Sequence, residues 1–239
     1  MIKPTLPGLI LGITCLFYSC EKANIDSLRY GLVSYYPFSG NAKNFAGSYH
    51  GVVNGATLST DRFNQPNSAY AFNGVSDYIL IKDFGDIVPT EEISVSMWVQ
   101  ATDTRTQFQM MLCPDNNRFG ISAYYYHNGQ NTTFWDYGWQ GEGGEAPGRL
   151  YFRPEPNDTQ WHHYIFLSSI KANYMKIYKD GYLLISVNES LPLLNASGRD
   201  LKIGCGDGHG FHKGKIDDIR IYNRPLSNEE VMLLYKKHE

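Results

Sequence analysis

Residues 214–231 read GKIDDIRIYNRPLSNEEV. The first part predicts a strand over 214–222, apolar but for two adjacent acids, Asp217 and Asp218. The second part predicts a helix. Ser227 and Glu230 have the spacing of a capping box, and Val231, Leu234 and Tyr235 repeat on one face, which places a helix over about 228–237 packed on sheets. Side chains alternate across a strand, so the two aspartates are expected to face opposite ways and not to act as a catalytic dyad.

Period two governs the chain upstream. In SVSMWVQ, residues 94–100, Val95, Met97 and Val99 alternate with Ser94, Ser96 and Trp98. YMKIYKDGYLLISV, 174–187, is two such runs joined by Asp180-Gly181, a strong short hairpin signal. Further strands are expected at 31–38, 77–82, 107–112, 118–126, 149–153, 161–168 and 200–204. Short strands separated by Gly, Pro and Asn predict an all-β antiparallel sandwich of two sheets, a jelly roll, closed by a short C-terminal helix.

The chain has 239 residues, 42% of them hydrophobic, and a formal charge of -3. That length supports one sizeable core, and the absence of a basic tract argues against a nucleic-acid partner. The N-terminus MIKPTLPGLILGITCLFYSCEK carries one Lys, an apolar run over residues 6–18 and then Ser19-Cys20. It reads as an export signal, too short for a permanent transmembrane helix. Its end is similar to the lipobox of bacterial lipoproteins, with Phe17 and Tyr18 in place of small aliphatic residues. That resemblance implies a signal peptide over 1–19, lipidation at Cys20, a short tether over 20–27 and a single domain over 28–239. The expected location is the bacterial cell envelope, the outer membrane in particular, with the lipid as the only membrane contact.

Six stretches occur in order: GLVSYYPFSGNAKNFAGSYHG, NSAYAFNGVSDYILI, SVSMWV, WHHYIF, MKIYKDGYLL and GKIDDIRIYNRPLSNEEV. Together they resemble the laminin-G-like jelly rolls of the concanavalin A-like lectin and glucanase superfamily, over about residues 32–235. The resemblance implies two sheets of six or seven strands with adjacent termini. It leaves function open, since the fold hosts lectins, adhesion modules and hydrolases. It also implies a Ca²⁺ site at the sandwich edge, with Asp217 as ligand and Asn44 and Asn73 nearby. The alternative is that Asp217 accepts hydrogen bonds from loop amides.

Glycosidases of this superfamily need two carboxylates fixed a short distance apart on one strand face. No Glu-x-Asp-x-x-Glu pattern occurs here, and Glu142 and Glu145 sit in a glycine-rich loop, so a non-catalytic protein is expected. A glycoside hydrolase or lyase with an atypical site, or a purely structural lipoprotein, is the alternative. Residues 123–152 concentrate aromatics and amides, the mixture that binds sugar rings and hydroxyls. Trp135, Asp136, Tyr137 and Trp139 are therefore candidate ligand contacts at a loop rim, against the alternative that alternate aromatics fill the core. The expected partner is a glycan or a cell-envelope protein. His162 and His163 should point apart, one buried or paired and the other solvated. Cys113 and Cys205 both lie at strand ends, as a disulfide or as two small buried residues. The N-x-S/T matches at Asn131, Asn157, Asn188 and Asn195 are read as chance in a bacterial export product.

Overall fold

The computed structural model describes residues 27–102, 112–114, 119–127, 129–138, 147–156, 158–206 and 210–237, with backbone alone for 112–114 and 124–127. The expected signal peptide, Cys20 and most of the tether lie outside these residues.

The described strands are β1 (Leu32–Tyr36), β2 (Val52–Asn54), β3 (Thr57–Ser59), β4 (Ala69–Asn73), β5 (Tyr78–Ile81), β6 (Glu92–Ala101), β7 (Leu112–Pro114) and β8 (Phe119–His127). They continue with β9 (Gln130–Tyr137), β10 (Arg149–Phe152), β11 (Trp161–Ser169), β12 (Tyr174–Lys179), β13 (Tyr182–Val187), β14 (Leu201–Ile203) and β15 (Lys213–Tyr222). A C-terminal α-helix, α1 (Asn228–Lys236), follows the last strand. Sheet A has the order β13-β12-β11-β6-β15-β4-β3, with β1 also on β15, and sheet B the order β10-β9-β8-β7-β14-β5-β2. All these pairings are antiparallel, as the sequence predicts for a jelly-roll sandwich.

Period two decides what each strand buries. Val95, Met97 and Val99 of β6 enter the core between the sheets, with Tyr164 and Phe166 of β11 and Ile216, Ile219 and Ile221 of β15. The intervening Ile165, Leu167 and Tyr222 face outward, where Val231 and Leu234 of α1 cover them. The outer face of sheet A is thus mixed, apolar where α1 packs and polar beside it, where Ser96, His163, Asp217, Asp218 and Arg220 are buried.

α1 starts where the capping box predicts. Ser227 Oγ accepts from Glu230 N at 3.3 Å, and Glu230 Oε2 accepts from Ser227 N at 2.9 Å. The Arg224 guanidinium grips both Glu230 oxygens at 2.7 Å. The β12–β13 turn takes positive φ at both Asp180 and Gly181, 51° and 82°, the backbone of a tight hairpin. Gly181 lies beside α1, where an added Cβ would stand 2.9 Å from the far end of the flexible Met232 side chain.

Trp135, Asp136 and Tyr137 depart from expectation. They stand not on a loop rim but in β9, paired on both sides with β8 and β10.

Candidate functional site

β9 is buried on both faces from Asn131 to Tyr137. Trp135 and Tyr137 are fully buried in the core between the sheets, where their rings stack at 5.4 Å and Phe119 meets Trp135 edge-on at 5.3 Å. They therefore cannot contact a ligand, which corrects the expectation for both. Trp139 lies outside the described residues. Asp136, of opposite parity, faces outward from sheet B.

On that outer face two cross-strand pairs stand side by side. Arg149 of β10 opposes Asp136 and Tyr151 opposes Phe134. The Arg149 guanidinium forks onto both Asp136 carboxylate oxygens, and its Nη1 donates to Tyr151 Oη at 3.2 Å. Phe134 and Tyr151 meet edge-to-face at 6.4 Å. Burial pushes the Asp136 carboxyl up to about 6, with Arg149 acting the other way. Phe134 is buried yet belongs to neither core cluster. Phe134, Arg149 and Tyr151 were not singled out from sequence. The signal was the turn dipeptide Asn128-Gly129, which marks 130–137 as a returning strand.

The residues expected to hold calcium are not brought together. Along β15, Asn73 is opposite Lys213, while Asn44 is tied to β1, whose Ser34 is opposite Ile221. Eight residues of strand separate those two levels, about 26 Å, and Asp217 lies midway. Each asparagine is already occupied. Asn44 Oδ1 accepts from Tyr35 N and Ala46 N at 3.0 and 2.9 Å. Asn73 Oδ1 accepts from Val75 N and Ser76 N at 2.7 and 3.0 Å. Among the described residues no group of three His, Cys, Asp or Glu side chains is arranged to hold a metal.

A cation does reach Asp217, but it is a side chain. Arg62, from the β3–β4 loop, places Nη1 3.1 Å from Asp217 Oδ2 and Nη2 3.6 Å from Asp218 Oδ2. Its guanidinium lies between the rings of Trp98 and Phe63, 4.4 and 4.5 Å from their centroids, and donates to Lys237 O at 3.2 Å. Arg220 Nη1 stands 2.8 Å from Asp218 Oδ1. The two aspartates therefore share one side of the sheet, contrary to simple alternation. Asp218 adopts φ of 55°, and β15 advances from Asp217 to Arg220 while β6 advances only from Trp98 to Ser96. One extra residue makes a β-bulge that turns both carboxylates to the same guanidinium. A site with this cation built in does not fit Ca²⁺, which takes six to eight oxygen ligands.

The adjacent histidines separate as expected. His163 is buried, with Nε2 2.8 Å from Ser96 Oγ. Burial, then Arg220 and Arg62, push it down to about 3, so it is neutral. His162 is not solvated but clamped, with Nδ1 2.7 Å from Asp180 Oδ2 and Nε2 2.9 Å from Asp158 Oδ2. Burial opposes its charge, yet the bonds to Asp180 and Asp158 prevail and raise its pKa. Next to it Glu155 is buried against Lys179, accepting from Tyr164 Oη at 2.9 Å and Thr133 Oγ1 at 3.0 Å.

For the cysteines, the register sets Cys113 opposite Lys202, while Cys205 is buried beyond the end of β14. That pairing does not place the two opposite each other; the side chain of Cys113 lies outside the described residues.

Two packed antiparallel sheets, a helix across one and an aromatic and ion-paired face on the other define a lectin-like jelly roll. The chain belongs to the concanavalin A-like lectin/glucanases superfamily, whose laminin-G-type family model matches residues 73–232. Its fold is similar to domain 4 of AbnA, a GH43 extracellular arabinanase from Geobacillus stearothermophilus, solved with arabinotriose. The TM-score is 0.67 at 20% identity, over 86% of this chain and 98% of that one. It is also similar to the botulinum neurotoxin serotype D binding domain, TM-score 0.64 at 18% identity, over 89% of this chain and 52% of that one. The botulinum neurotoxin DC binding domain, solved with rat synaptotagmin II, gives 0.63 at 13% identity, over 87% and 52%. The chain thus spans about half the length of the two neurotoxin domains. No curated protein sequence matches it.

Proposed function

We propose that this chain is a non-catalytic binding module of the bacterial cell envelope, anchored through a lipid on Cys20, that takes carbohydrate on the outer face of sheet B. The observation that carries the reading is the ladder of Phe134–Tyr151 beside Asp136–Arg149. Half-buried Tyr151 and Arg149 offer ring surface and N–H donors to a sugar, and buried Phe134 and Asp136 fix them in place. The pair is held rigid by strand pairing, which lowers the ordering cost of binding. The AbnA domain, solved with arabinotriose, supports a sugar as the ligand.

The non-catalytic part is supported by the fate of the carboxylates. No Glu-x-Asp-x-x-Glu pattern occurs on a strand, and Asp136, Glu155, Asp217 and Glu230 are each taken up in an ion pair with an Arg or Lys of this chain. A protein receptor is the second reading, favoured by the neurotoxin domain solved with synaptotagmin II.

Calorimetric titration with arabinotriose and with soluble arabinan and other polysaccharides tests the proposal. Binding should fall about tenfold or more in Tyr151→Ala, the loss of one ring contact of roughly 1.4 kcal/mol. No heat with any polysaccharide would overturn the carbohydrate reading in favour of a protein partner. Release of new reducing ends during the titration would overturn the non-catalytic part.

A further inference from the structure

The described chain begins at Ser27, beside α1. Arg224 Nη2 donates to Ser27 O and Nε to Tyr30 O, both at 2.8 Å, and Leu28 is buried with Val231 and Leu234. This is the outer face of sheet A, on the opposite side of the core from Phe134, Asp136, Arg149 and Tyr151.

Three large apolar side chains stand exposed around it: Tyr30 at 75%, Phe45 at 65% and Leu183 at 51%. Tyr30 precedes β1. Phe45 donates its N–H to Tyr35 O at 2.8 Å and meets the Tyr35 ring edge-on at 6.3 Å. Leu183 is opposite Tyr178, which lies under α1. Cations are interspersed. Arg29 and Lys236 are exposed, and Lys176 Nζ sits 4.3 Å above the Tyr174 ring. Aromatic and aliphatic side chains mixed with Lys and Arg are the composition of a surface that rests among lipid headgroups.

We propose that this face of the domain lies against an anionic lipid surface, so that the outer face of sheet B looks away from the membrane toward its ligand. The inference rests on the lipid-anchor reading. Only six residues lie between Cys20 and Ser27, and fully extended the seven Cα–Cα steps span at most about 25 Å. The face at which Ser27 enters is therefore the one held next to the bilayer. A tether this short raises the effective concentration of weak contacts there, so a few exposed side chains suffice to set the orientation.

The test uses the full lipidated chain reconstituted in vesicles of phosphatidylcholine and phosphatidylglycerol. An environment-sensitive thiol dye is placed at Tyr30→Cys, at Leu183→Cys and, as the control, at Gln130→Cys at the tip of the β8–β9 hairpin. All three positions are exposed, and unlabelled melting curves check that each variant folds; dye uptake by the wild-type chain sets the background. Lipid-borne nitroxide should quench the dye at positions 30 and 183 and leave it unquenched at 130. Equal quenching at all three positions, or at none while Cys20 incorporates a fatty-acid analogue, overturns the orientation alone. No fatty-acid incorporation in the wild type, or incorporation unchanged in Cys20→Ala, overturns the anchor reading and the orientation with it.

Discussion

Arg62 Nη1 stands 3.1 Å from Asp217 Oδ2, a contact between residues 155 positions apart that joins the β3–β4 loop to the last strand. It answers what the acidic pair does in the closing motif. The two carboxylates surround an internal guanidinium, and that guanidinium also holds the carbonyl of Lys237 just past α1. Removing it strands buried negative charge, so Arg62→Met should cost about 3 kcal/mol or more, a fall of roughly 6–12 °C in melting temperature for a domain of this size. A chelator should leave the wild-type melting temperature unchanged. A wild-type transition lowered by chelation would refute the guanidinium as the cation of this site.

Burial and the neighbouring Asp218 push the Asp217 carboxyl up to about 8, with Arg62 opposing. The folded chain therefore binds a proton that the unfolded chain has lost above about pH 4, and stability falls as pH rises from there through about 8. Asp217→Asn mimics the protonated carboxyl. The variant should melt close to wild type at pH 5 and gain on it as pH rises toward 9. Parallel curves for the two proteins would show that this group does not titrate in that window.

Trp135 and Tyr151 lie on adjacent strands but on opposite faces of sheet B, and their substitutions should separate stability from binding. Trp135→Ala opens the core and should cost about 3–5 kcal/mol. Tyr151→Ala should leave the denaturation midpoint nearly unchanged while weakening polysaccharide binding. The reverse pattern would place the ligand inside the sandwich end and not on the sheet face.

The clamp of His162 between Asp158 and Asp180 ties the β10–β11 loop to the β12–β13 hairpin. Its raised pKa means that the clamp stabilises fully below the unfolded value near 6.5 and that this stabilisation is lost as pH rises through the higher folded value. Amide exchange in residues 158–160 should accelerate beyond the intrinsic chemical rate as pH rises above about 6.5 through the higher folded value. His162→Gln should abolish that excess, and an excess that persists in the variant would assign it to another group.

At the helix start, Ser227→Ala removes the acceptor for Glu230 N and should cost about 1 kcal/mol. Glu230→Gln keeps one hydrogen bond but loses the Arg224 pair. An unchanged midpoint in Ser227→Ala would mean that packing of Val231 and Leu234 alone sets the helix.

Several elements were legible without coordinates because their cause is local. The capping box at Ser227 and Glu230, the Asp180-Gly181 turn and the alternation of Val95, Met97 and Val99 depend on residues close in the chain, and all three occur as read. The candidate site was less legible. Period two divides β9 into two faces, but both carry aromatic rings, and hydrophobicity alone does not say which face turns inward. Pairing with β8 and β10 decides it, sending Trp135 and Tyr137 to the core between the sheets and Phe134 and Asp136, also buried, to the other face of sheet B.

The acidic pair shows the same division. Neighbouring residues suffice to specify a strand with two carboxylates leading into a capped helix, because apolar alternation and capping are local properties. Where those carboxylates point depends on partners distant in the chain. A single extra residue in β15 relative to β6 shifts the phase of the alternation, and a loop some 155 positions away supplies the charge that makes their burial tolerable.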